Sequence, residues 1–336
     1  MKAFVQTGLG EFALEDLPAI KGGPGEAVAR VRTALTCGTD LKILTRGHPR
    51  FKLPLTMGHE LCGEVIEVGA GVDPGLVGKR VVPGVSGPCG HCPDCRRGLA
   101  NLCPAGHADR TWGAFAECVR IPAGVVASNL HRPPDGLPDE AAAFLDPLAS
   151  VLHGWNRFRR DPGRLLIYGS GALALLWAAT ARNRGVASIV AGRRPERLNL
   201  AAGCGAEVLD LARYHAEDLF SRTGTLPDAA VDCTGDPEVW MRLANLVRRG
   251  GEVLLFGGCA PGATVTYDAE RLHYSELSLI GSFHYTPDEA NAAMAALASG
   301  AVEPRALVTD SGSLSDLPRF LDDQERGEGL RYAIRP

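Results

Sequence analysis

One short apolar segment, residues 164–168, leads directly into a glycine-rich turn and then into a predicted helix. The turn has the sequence Gly169-Ser170-Gly171-Ala172-Leu173-Ala174. In a G-x-G-x-x-G/A pattern at a strand-to-helix junction, the first glycine allows the tight turn and the second allows the backbone to approach a pyrophosphate. The amino end of the helix then offers N–H groups and a partial positive charge to phosphates. The pattern predicts a dinucleotide site at Gly169, Gly171, Ala172 and Leu173; a plain strand–helix turn is the alternative.

Strands and helices alternate after this turn. Apolar strands are predicted at 188–191, 229–233, 252–256 and 277–280, and helices at 172–184, 195–204 and 237–247. This spacing is typical of βαβ units and predicts a doubly wound parallel sheet in an α/β domain. One more helix is predicted at 287–299, capped by Thr286, and an irregular tail follows it.

The first 145 or so residues have a different pattern. Short strands are predicted at 27–31, 61–68, 80–82 and 113–121, and glycine and proline interrupt them. Short strands with frequent turn residues indicate a compact, strand-rich domain, such as a partial barrel.

The end of the second strand of the alternating region indicates which dinucleotide binds. An acidic residue commonly stands there and binds the ribose 2′-hydroxyl of NAD. Here the sequence is Gly192-Arg193-Arg194, and guanidinium groups are suited to a 2′-phosphate. NADP(H) is therefore favoured and NAD(H) is the alternative, although two arginines at a helix start are also common on surfaces. The candidate cofactor set further includes Thr234, Phe256 and Gly257.

Four of the ten cysteines lie within fifteen residues, at Cys89, Cys92, Cys95 and Cys103. Clustered cysteines in a long chain without a disulfide-scaffold composition indicate metal ligands. Four thiolates suit a closed tetrahedral zinc site, and an iron–sulfur cluster is the alternative. Five other cysteines are expected to be core thiols: Cys62, Cys118, Cys204, Cys233 and Cys259.

Composition excludes several classes of protein. The 336 residues are 45% hydrophobic and 22% charged, with a formal net charge of −4. This length allows two domains, and the mild acidity argues against a nucleic-acid partner. No apolar run reaches the roughly 18 residues of a membrane helix, and the amino-terminal segment does not resemble a signal peptide. A cytoplasmic location is the resulting expectation.

A second group of candidate ligands is dispersed along the chain. Taken singly, a cysteine, histidine or aspartate is more often a core thiol, a core histidine or a helix cap. The motifs occur in the order Cys37-Gly38-Thr39-Asp40, Gly58-His59-Glu60, the four cysteines, Gly113-Ala114-Phe115-Ala116-Glu117, Asp146-Pro147-Leu148-Ala149 and the glycine-rich turn. This order resembles the zinc-dependent medium-chain alcohol dehydrogenase family, including sorbitol and threonine dehydrogenases. The resemblance covers nearly the whole chain.

The family resemblance implies a domain organisation and two zinc sites. A GroES-like catalytic domain, residues 1–148 and 285–336, is interrupted by a Rossmann domain, residues 149–284. Cys37, His59 and Asp146 match the ligands of a catalytic zinc, and Glu60 matches an adjacent acid that ligates the metal or exchanges with its water. The four clustered cysteines match a structural zinc site.

The same resemblance implies the reaction. A hydride passes between the carbinol carbon of an alcohol and the nicotinamide of NAD(P), while zinc stabilises the alcohol oxygen. Asp40 matches the acid that orients the ligating histidine, and Thr39 matches the hydroxyl that takes the substrate proton. Lys42 replaces the relay histidine of many members, so the proton route through Lys42, His48 or water stays open.

The substrate is less constrained. By family position, the pocket includes Thr39, His48, Phe51, Trp112 and Phe283, although aromatic residues also serve as core. Polar candidates favour a polyol, sugar or cyclitol. The alternatives are a simple secondary alcohol or ketone, and then an amino alcohol. A non-catalytic zinc-binding module on the same fold is the candidate from another class. The family also implies a homodimer or homotetramer, extended through the sheet edge near 277–280.

Overall fold

The computed structural model describes residues 1–48 and 51–336 and divides them into two compact units. The discontinuous unit comprises Met1–Ala149 and Tyr285–Pro336, and the central unit comprises Ser150–His284.

The strands, in chain order, are β1 (Lys2–Gly8), β2 (Glu11–Asp16), β3 (Ala27–Leu35), β4 (Leu55–Thr56), β5 (Glu60–Val68), β6 (Arg80–Pro83), β7 (Cys118–Ile121), β8 (Leu130–His131), β9 (Arg164–Tyr168), β10 (Ala187–Gly192), β11 (Glu207–Asp210), β12 (Ala229–Asp232), β13 (Glu252–Leu255), β14 (Ser278–Gly281), β15 (Val308–Gly312) and β16 (Arg331–Ile334).

The α-helices are α1 (Gly38–Arg46), α2 (Pro93–Arg96), α3 (Pro104–Ala108), α4 (Ala123–Ser128), α5 (Asp139–Ala142), α6 (Leu145–Trp155), α7 (Ala172–Asn183), α8 (Pro195–Gly203), α9 (Leu219–Thr223), α10 (Pro237–Leu243), α11 (Ala269–Tyr274), α12 (Pro287–Ala298) and α13 (Leu317–Arg326). Short 3₁₀ turns connect several of them. None of the helices within the described residues is long and apolar enough to cross a bilayer.

The central unit contains a six-stranded parallel sheet in the order β11-β10-β9-β12-β13-β14. The first strand in sequence, β9, lies at the middle of the sheet, so the order reverses between β9 and β12. Parallel strands covered on both faces need continuous apolar runs, and the inner residues of β9 and β12 are fully buried. In a doubly wound sheet, ligands bind beyond the carboxyl ends of the strands where the order reverses.

The discontinuous unit is built from two sheets. The larger has the order β15-β16-β3-β5-β6-β8, with β7 also paired to β3, and the smaller has the order β2-β1-β4. Its core includes Leu61, Phe115 and Ile121 from the first segment and Phe320 from the returning segment. Both parts of the discontinuous unit therefore contribute to one hydrophobic core.

The expected irregular tail was wrong. The segment forms β15, α13 and β16, and α13 buries Leu317, Phe320 and Leu321 on one face. The helix arises because these apolar positions repeat at helical spacing, whereas the short strands depend on distant partners, as in the pairing of β16 with β3.

Smaller corrections concern element ends and cysteines. The strand predicted at 113–121 is regular only over Cys118–Ile121, and the helix predicted at 237–247 ends at Leu243. Among the five expected core thiols, Cys62 is fully buried and the others are half-buried. Strand β11, which was not predicted, completes the parallel sheet because it pairs with β10.

Candidate metal and cofactor sites

Cys37 lies at the junction where β3 ends and α1 begins. It is the N-cap residue of the helix: its Sγ accepts a hydrogen bond from the Thr39 amide at 3.5 Å, and its own amide donates to Asp40 Oδ2 at 2.9 Å. This reciprocal capping satisfies amides at the helix start and fixes the thiol in a buried position.

The same aspartate orients His59. Asp40 Oδ1 lies 3.1 Å from His59 Nδ1, and both side chains are buried. Because a carboxylate accepts hydrogen bonds, this contact keeps a ring proton on Nδ1, so that Nε2 is the nitrogen that can bind a metal once it is deprotonated. The indole of Trp112 stacks on the imidazole at 4.6 Å between centroids with an interplanar angle of 3°, which fixes the ring plane.

Cys37, His59 and Glu60 converge. Their ligand atoms all lie within 4.8 Å of one another, and all three side chains are buried. The third member, Glu60, holds an ion pair to Arg331 Nη2 at 3.1 Å, and Arg331 Nη1 donates to the Thr36 carbonyl at 2.8 Å. Arg331 was missed by the sequence reasoning, and no local pattern indicated it.

Burial and neighbouring charges shift the pKa values of Cys37, His59 and Glu60. Burial raises the pKa of the Cys37 thiol, but the charge of Arg331 and a hydrogen bond with His59 bring the pKa well below its usual range. Burial lowers the pKa of His59, yet Asp40 raises it well above the usual value. For Glu60, burial raises the pKa well above its usual range even though Arg331 opposes the shift. The cluster therefore favours a thiolate and accommodates added positive charge.

Asp146 lies in the first turn of α6 and is half-buried. Burial raises its pKa, while the charge of His59 and a hydrogen bond from the Tyr285 hydroxyl act in the opposite direction. The Tyr285 hydroxyl also accepts from the Val85 amide at 3.1 Å. Among the described residues, Asp146 is not part of the compact group of Cys37, His59 and Glu60, but it interacts electrostatically with all of its members.

The other predicted active-site residues differ in exposure and in the unit to which they belong. Thr39 is exposed in the first turn of α1, and Lys42 and His48 are exposed too. Phe51 packs between His48 and Trp112, at centroid distances of 5.4 and 4.4 Å. Phe283 belongs to the central unit.

The donor set fits a divalent transition metal. A thiol with a lowered pKa, an imidazole with Nε2 accessible and one or two carboxylates are the N, S and O ligands that zinc accepts. Glu60 Oε2 is buried without a hydrogen-bond partner among the described residues, as expected for an atom facing an ion. Asp40 provides the carboxylate–histidine contact that typically supports such a ligand.

The four clustered cysteines form a second group. Their sulfur atoms lie within 4.8 Å of one another, and all are free thiols. Cys92 Sγ and Cys103 Sγ are 3.9 Å apart. A tetrahedral zinc site with Zn–S bonds near 2.3 Å requires S···S edges of about 3.8 Å. The geometry fits one tetrahedral ion and excludes a disulfide at this pair.

Backbone amides stabilise thiolates in this lobe. The amides of Cys89 and Gly106 donate to Cys103 Sγ at 3.3 and 3.5 Å. Although burial raises the pKa of Cys103, these donors lower it to about 6. A thiolate at neutral pH is the form that binds metal.

The central unit has a cleft of about 910 Å³ at the carboxyl ends of its strands. Gly169 begins the turn after β9 with φ +113°, a conformation that favours glycine, and Gly171 is the N-cap of α7. Within the predicted cofactor set, the residues lining the cleft are Gly169, Gly171, Gly192, Arg193, Arg194 and Thr234. The remaining members of that set, which are not among the lining residues, are Ala172, Leu173, Phe256 and Gly257.

Two further arginines line the cleft and were missed from the sequence. Arg197 lies in α8, and Arg242, in α10, donates to the Tyr168 hydroxyl at 3.3 Å. Phe256, which is half-buried, instead packs edge-on against the buried Trp177 at 5.6 Å. Arg193, Arg194 and Arg197 together make the cleft basic on the side where β10 ends.

Comparison with known proteins agrees with this geometry. Residues 23–131 match the alcohol dehydrogenase GroES-like domain, and residues 172–299 match the zinc-binding dehydrogenase domain. The chain is 32% identical to D-altritol 5-dehydrogenase of Agrobacterium fabrum over 81% of both chains. It is 28% identical to sorbitol dehydrogenase of Halalkalibacterium halodurans over 100% of this chain and 99% of the relative.

A solved structure shows the same fold. A zinc-binding dehydrogenase of Sinorhizobium meliloti 1021, bound to NADP, superimposes with a TM-score of 0.89 at 27% identity, covering 100% of this chain and 99% of that one. Fold and sites together define a nicotinamide-dependent zinc oxidoreductase that acts on CH–OH groups. The chain belongs to the zinc-dependent medium-chain alcohol dehydrogenase family. The predicted family, fold class and reaction type are thereby confirmed.

Proposed function

We propose that the protein oxidises a secondary hydroxyl of a polyol, sugar or cyclitol, or reduces the corresponding ketone, with NADP(H) and two zinc ions per chain. The single observation that best supports catalysis is the convergence of Cys37, His59 and Glu60 within 4.8 Å. The discontinuous unit is the proposed catalytic domain, and the central unit is the proposed dinucleotide domain.

Cys37, His59 and Asp146 would hold the proposed catalytic zinc, with Glu60 adjacent. A bound zinc would supply Lewis-acid polarisation of the alcohol oxygen. Asp40 holds His59 in the tautomer that leaves Nε2 available, through the 3.1 Å contact at Nδ1.

Two other side chains are proposed to transfer the proton of the substrate hydroxyl. Thr39 is exposed at the start of α1, beside the Cys37 thiol that its amide contacts, so its hydroxyl is the proposed first acceptor of the substrate proton. His48 is the proposed onward route, because it is exposed and Lys42 replaces a relay histidine.

Zinc content and activity together test this assignment. Cys37→Ala and His59→Ala should each lose one zinc per chain and lose turnover, while the four-cysteine lobe keeps the other ion. Cys118→Ala, which removes a half-buried thiol of the same unit, is the matched control and should keep both ions and full activity. Full activity of either ligand variant would refute the proposal.

The preference for NADP(H) is supported by the absence of an acid at the end of β10 and by the arginines of the cleft. A charge-assisted hydrogen bond to phosphate contributes about 1.5–3 kcal/mol, equivalent to ten-fold or more in affinity. Replacing Arg193 and Arg194 by alanine should therefore raise KM for NADP⁺ by at least ten-fold and leave KM for NAD⁺ nearly unchanged. Arg182→Ala is a control on the same unit. A wild-type kcat/KM higher for NAD⁺ would overturn the preference.

The polyol proposal is supported by the polar, exposed Lys42 and His48 and by the polyol-named relatives at 28 and 32% identity. A panel of polyols, sugars, cyclitols and simple secondary alcohols, followed by nicotinamide absorbance, decides it. Higher kcat/KM for a simple secondary alcohol would favour the alternative. We also propose a homodimer or homotetramer, which light scattering tests.

A further inference from the structure

Asp232, the final residue of β12, has a fully buried carboxylate with four hydrogen-bond donors. Its Oδ1 accepts from the Thr234 amide at 2.8 Å and from the Thr234 hydroxyl at 2.6 Å. Its Oδ2 accepts from the Gly235 amide at 2.9 Å and from Trp240 Nε1 at 2.8 Å. All four partners are neutral donors, and together they occupy the acceptor positions of the carboxylate.

This arrangement determines the hydrogen-bonding character of Thr234. A hydroxyl has one proton and two lone pairs. The proton is donated to Asp232, and one lone pair accepts from the Asp236 amide at 3.2 Å. What Thr234 can still offer to the cleft that it lines is one acceptor position.

Close packing keeps the turn in place. A Cβ added at Gly169 would lie 3.2 Å from Thr234 Cγ2, so the methyl group already faces the glycine-rich turn. A Cβ added at Gly257 would lie 2.6 Å from Asp232 Oδ2 and 2.4 Å from the Gly235 amide nitrogen. Because residue 257 is glycine, the chain just after β13 can approach the Asp232 carboxylate. Gly257 therefore supports the turn beside the cofactor cleft, although Gly257 does not itself line the cleft.

We propose that Asp232 is a positioning residue that makes Thr234 an obligate hydrogen-bond acceptor in the cofactor cleft. Thr234 then binds a hydroxyl or amino donor of the dinucleotide and discriminates against phosphate oxygens. The inference rests on the proposed binding of NADP(H) in this cleft. The same donor chemistry occurs at both ends of the cofactor, in the ribose hydroxyls, the adenine amine and the nicotinamide amide.

Calorimetric titration of intact, zinc-loaded protein with NADP⁺ tests the proposal. Thr234→Val preserves shape and removes the acceptor, and should weaken Kd by about five- to ten-fold. Thr234→Ser, which keeps the hydroxyl, should bind within two-fold of wild type. Thr223→Val is the matched control, because that hydroxyl donates to backbone carbonyls and does not line the cleft.

Asp232→Asn tests the positioning role. In either amide orientation, the NH₂ group of asparagine meets two donors, so the turn loses two hydrogen bonds. Kd should weaken at least as much as in Thr234→Val, and combining the two changes should add less than two-fold. If Asp232→Asn does not fold, Thr234→Val and Thr234→Ser still decide the matter.

Fragments of the cofactor show which end of the dinucleotide carries the donor that binds Thr234. Titration with adenosine 2′,5′-bisphosphate and with nicotinamide mononucleotide should show the Thr234→Val loss in one of them. A Thr234→Val Kd for NADP⁺ within two-fold of wild type, or fully multiplicative effects of the two substitutions, would overturn the inference. Failure of wild type to bind NADP⁺ and NAD⁺ would instead refute the proposed function.

Discussion

Replacing Arg331 by methionine should strongly destabilise the discontinuous unit. The guanidinium and the Glu60 carboxylate are only 3% and 1% exposed, and their atoms are 3.1 Å apart. Methionine removes the guanidinium that pairs with Glu60 and leaves the Thr36 carbonyl without the donor at 2.8 Å. Removing one partner of a buried ion pair costs about 3–5 kcal/mol.

That cost converts to a thermal shift. For a unit of 150–250 residues, each kcal/mol lowers Tm by about 2–4 °C, so Arg331→Met should lower Tm by roughly 6–20 °C. Calorimetry of the zinc-loaded protein measures this shift. The unfolding transition of the discontinuous unit is the relevant one, because Arg331 and Glu60 both belong to it.

Arg335 offers a matched control in the same segment. It pairs with Glu140, but its side chain is 58% exposed. Exposed pairs contribute about 0–1 kcal/mol, so Arg335→Met should change Tm little. Equal shifts for Arg331→Met and Arg335→Met would refute the reasoning.

Three other substitutions have clear expected results. Cys103→Ser should reduce bound zinc by one ion per chain and lower Tm; elemental analysis that still finds two ions would contradict the four-thiolate site. Asp40→Asn should weaken zinc affinity by about 10–100-fold in chelator competition, since one amide oxygen cannot accept from both the Cys37 amide and His59 Nδ1; an affinity within three-fold of wild type would contradict this. Gly192→Asp should impair both cofactors, because its Cβ would lie 2.5 Å from Ser170 Oγ and 2.6 Å from Ser170 Cβ. The kcat/KM for NAD⁺ should rise only when Gly192→Asp is combined with Ser170→Gly. A rise with Gly192→Asp alone would disprove the steric argument.

The parts of the molecule that depend on local pattern were predictable from the sequence. The strand at Arg164–Tyr168 has its predicted ends, and α7 begins at the predicted Ala172. Apolar runs, a glycine-rich turn and helical periodicity lie within a few residues of one another there. The four-cysteine lobe is similar, because short spacing keeps its ligands together.

Features set by tertiary contacts were not predictable. Arg331 and Glu60 are 271 positions apart, and an isolated arginine in a tail has no pattern that indicates burial. Asp232 is likewise one acid among many until the turn after β12 surrounds it with donors. Asp146 stays a proposed ligand because the resemblance indicates it, whereas the compact group consists of Cys37, His59 and Glu60.

The pairing of β16 with β3 also bears on the order of events during synthesis. The central unit is one continuous segment, so all of its strands are present once residue 284 has been made. The discontinuous unit lacks β16, and with it Arg331, until residues 331–334 are translated. Since domains fold during synthesis as their segments emerge, the ion pair beside Cys37 and His59 forms late. Until then, the nascent chain holds these proposed metal-binding side chains without the guanidinium that pairs with Glu60.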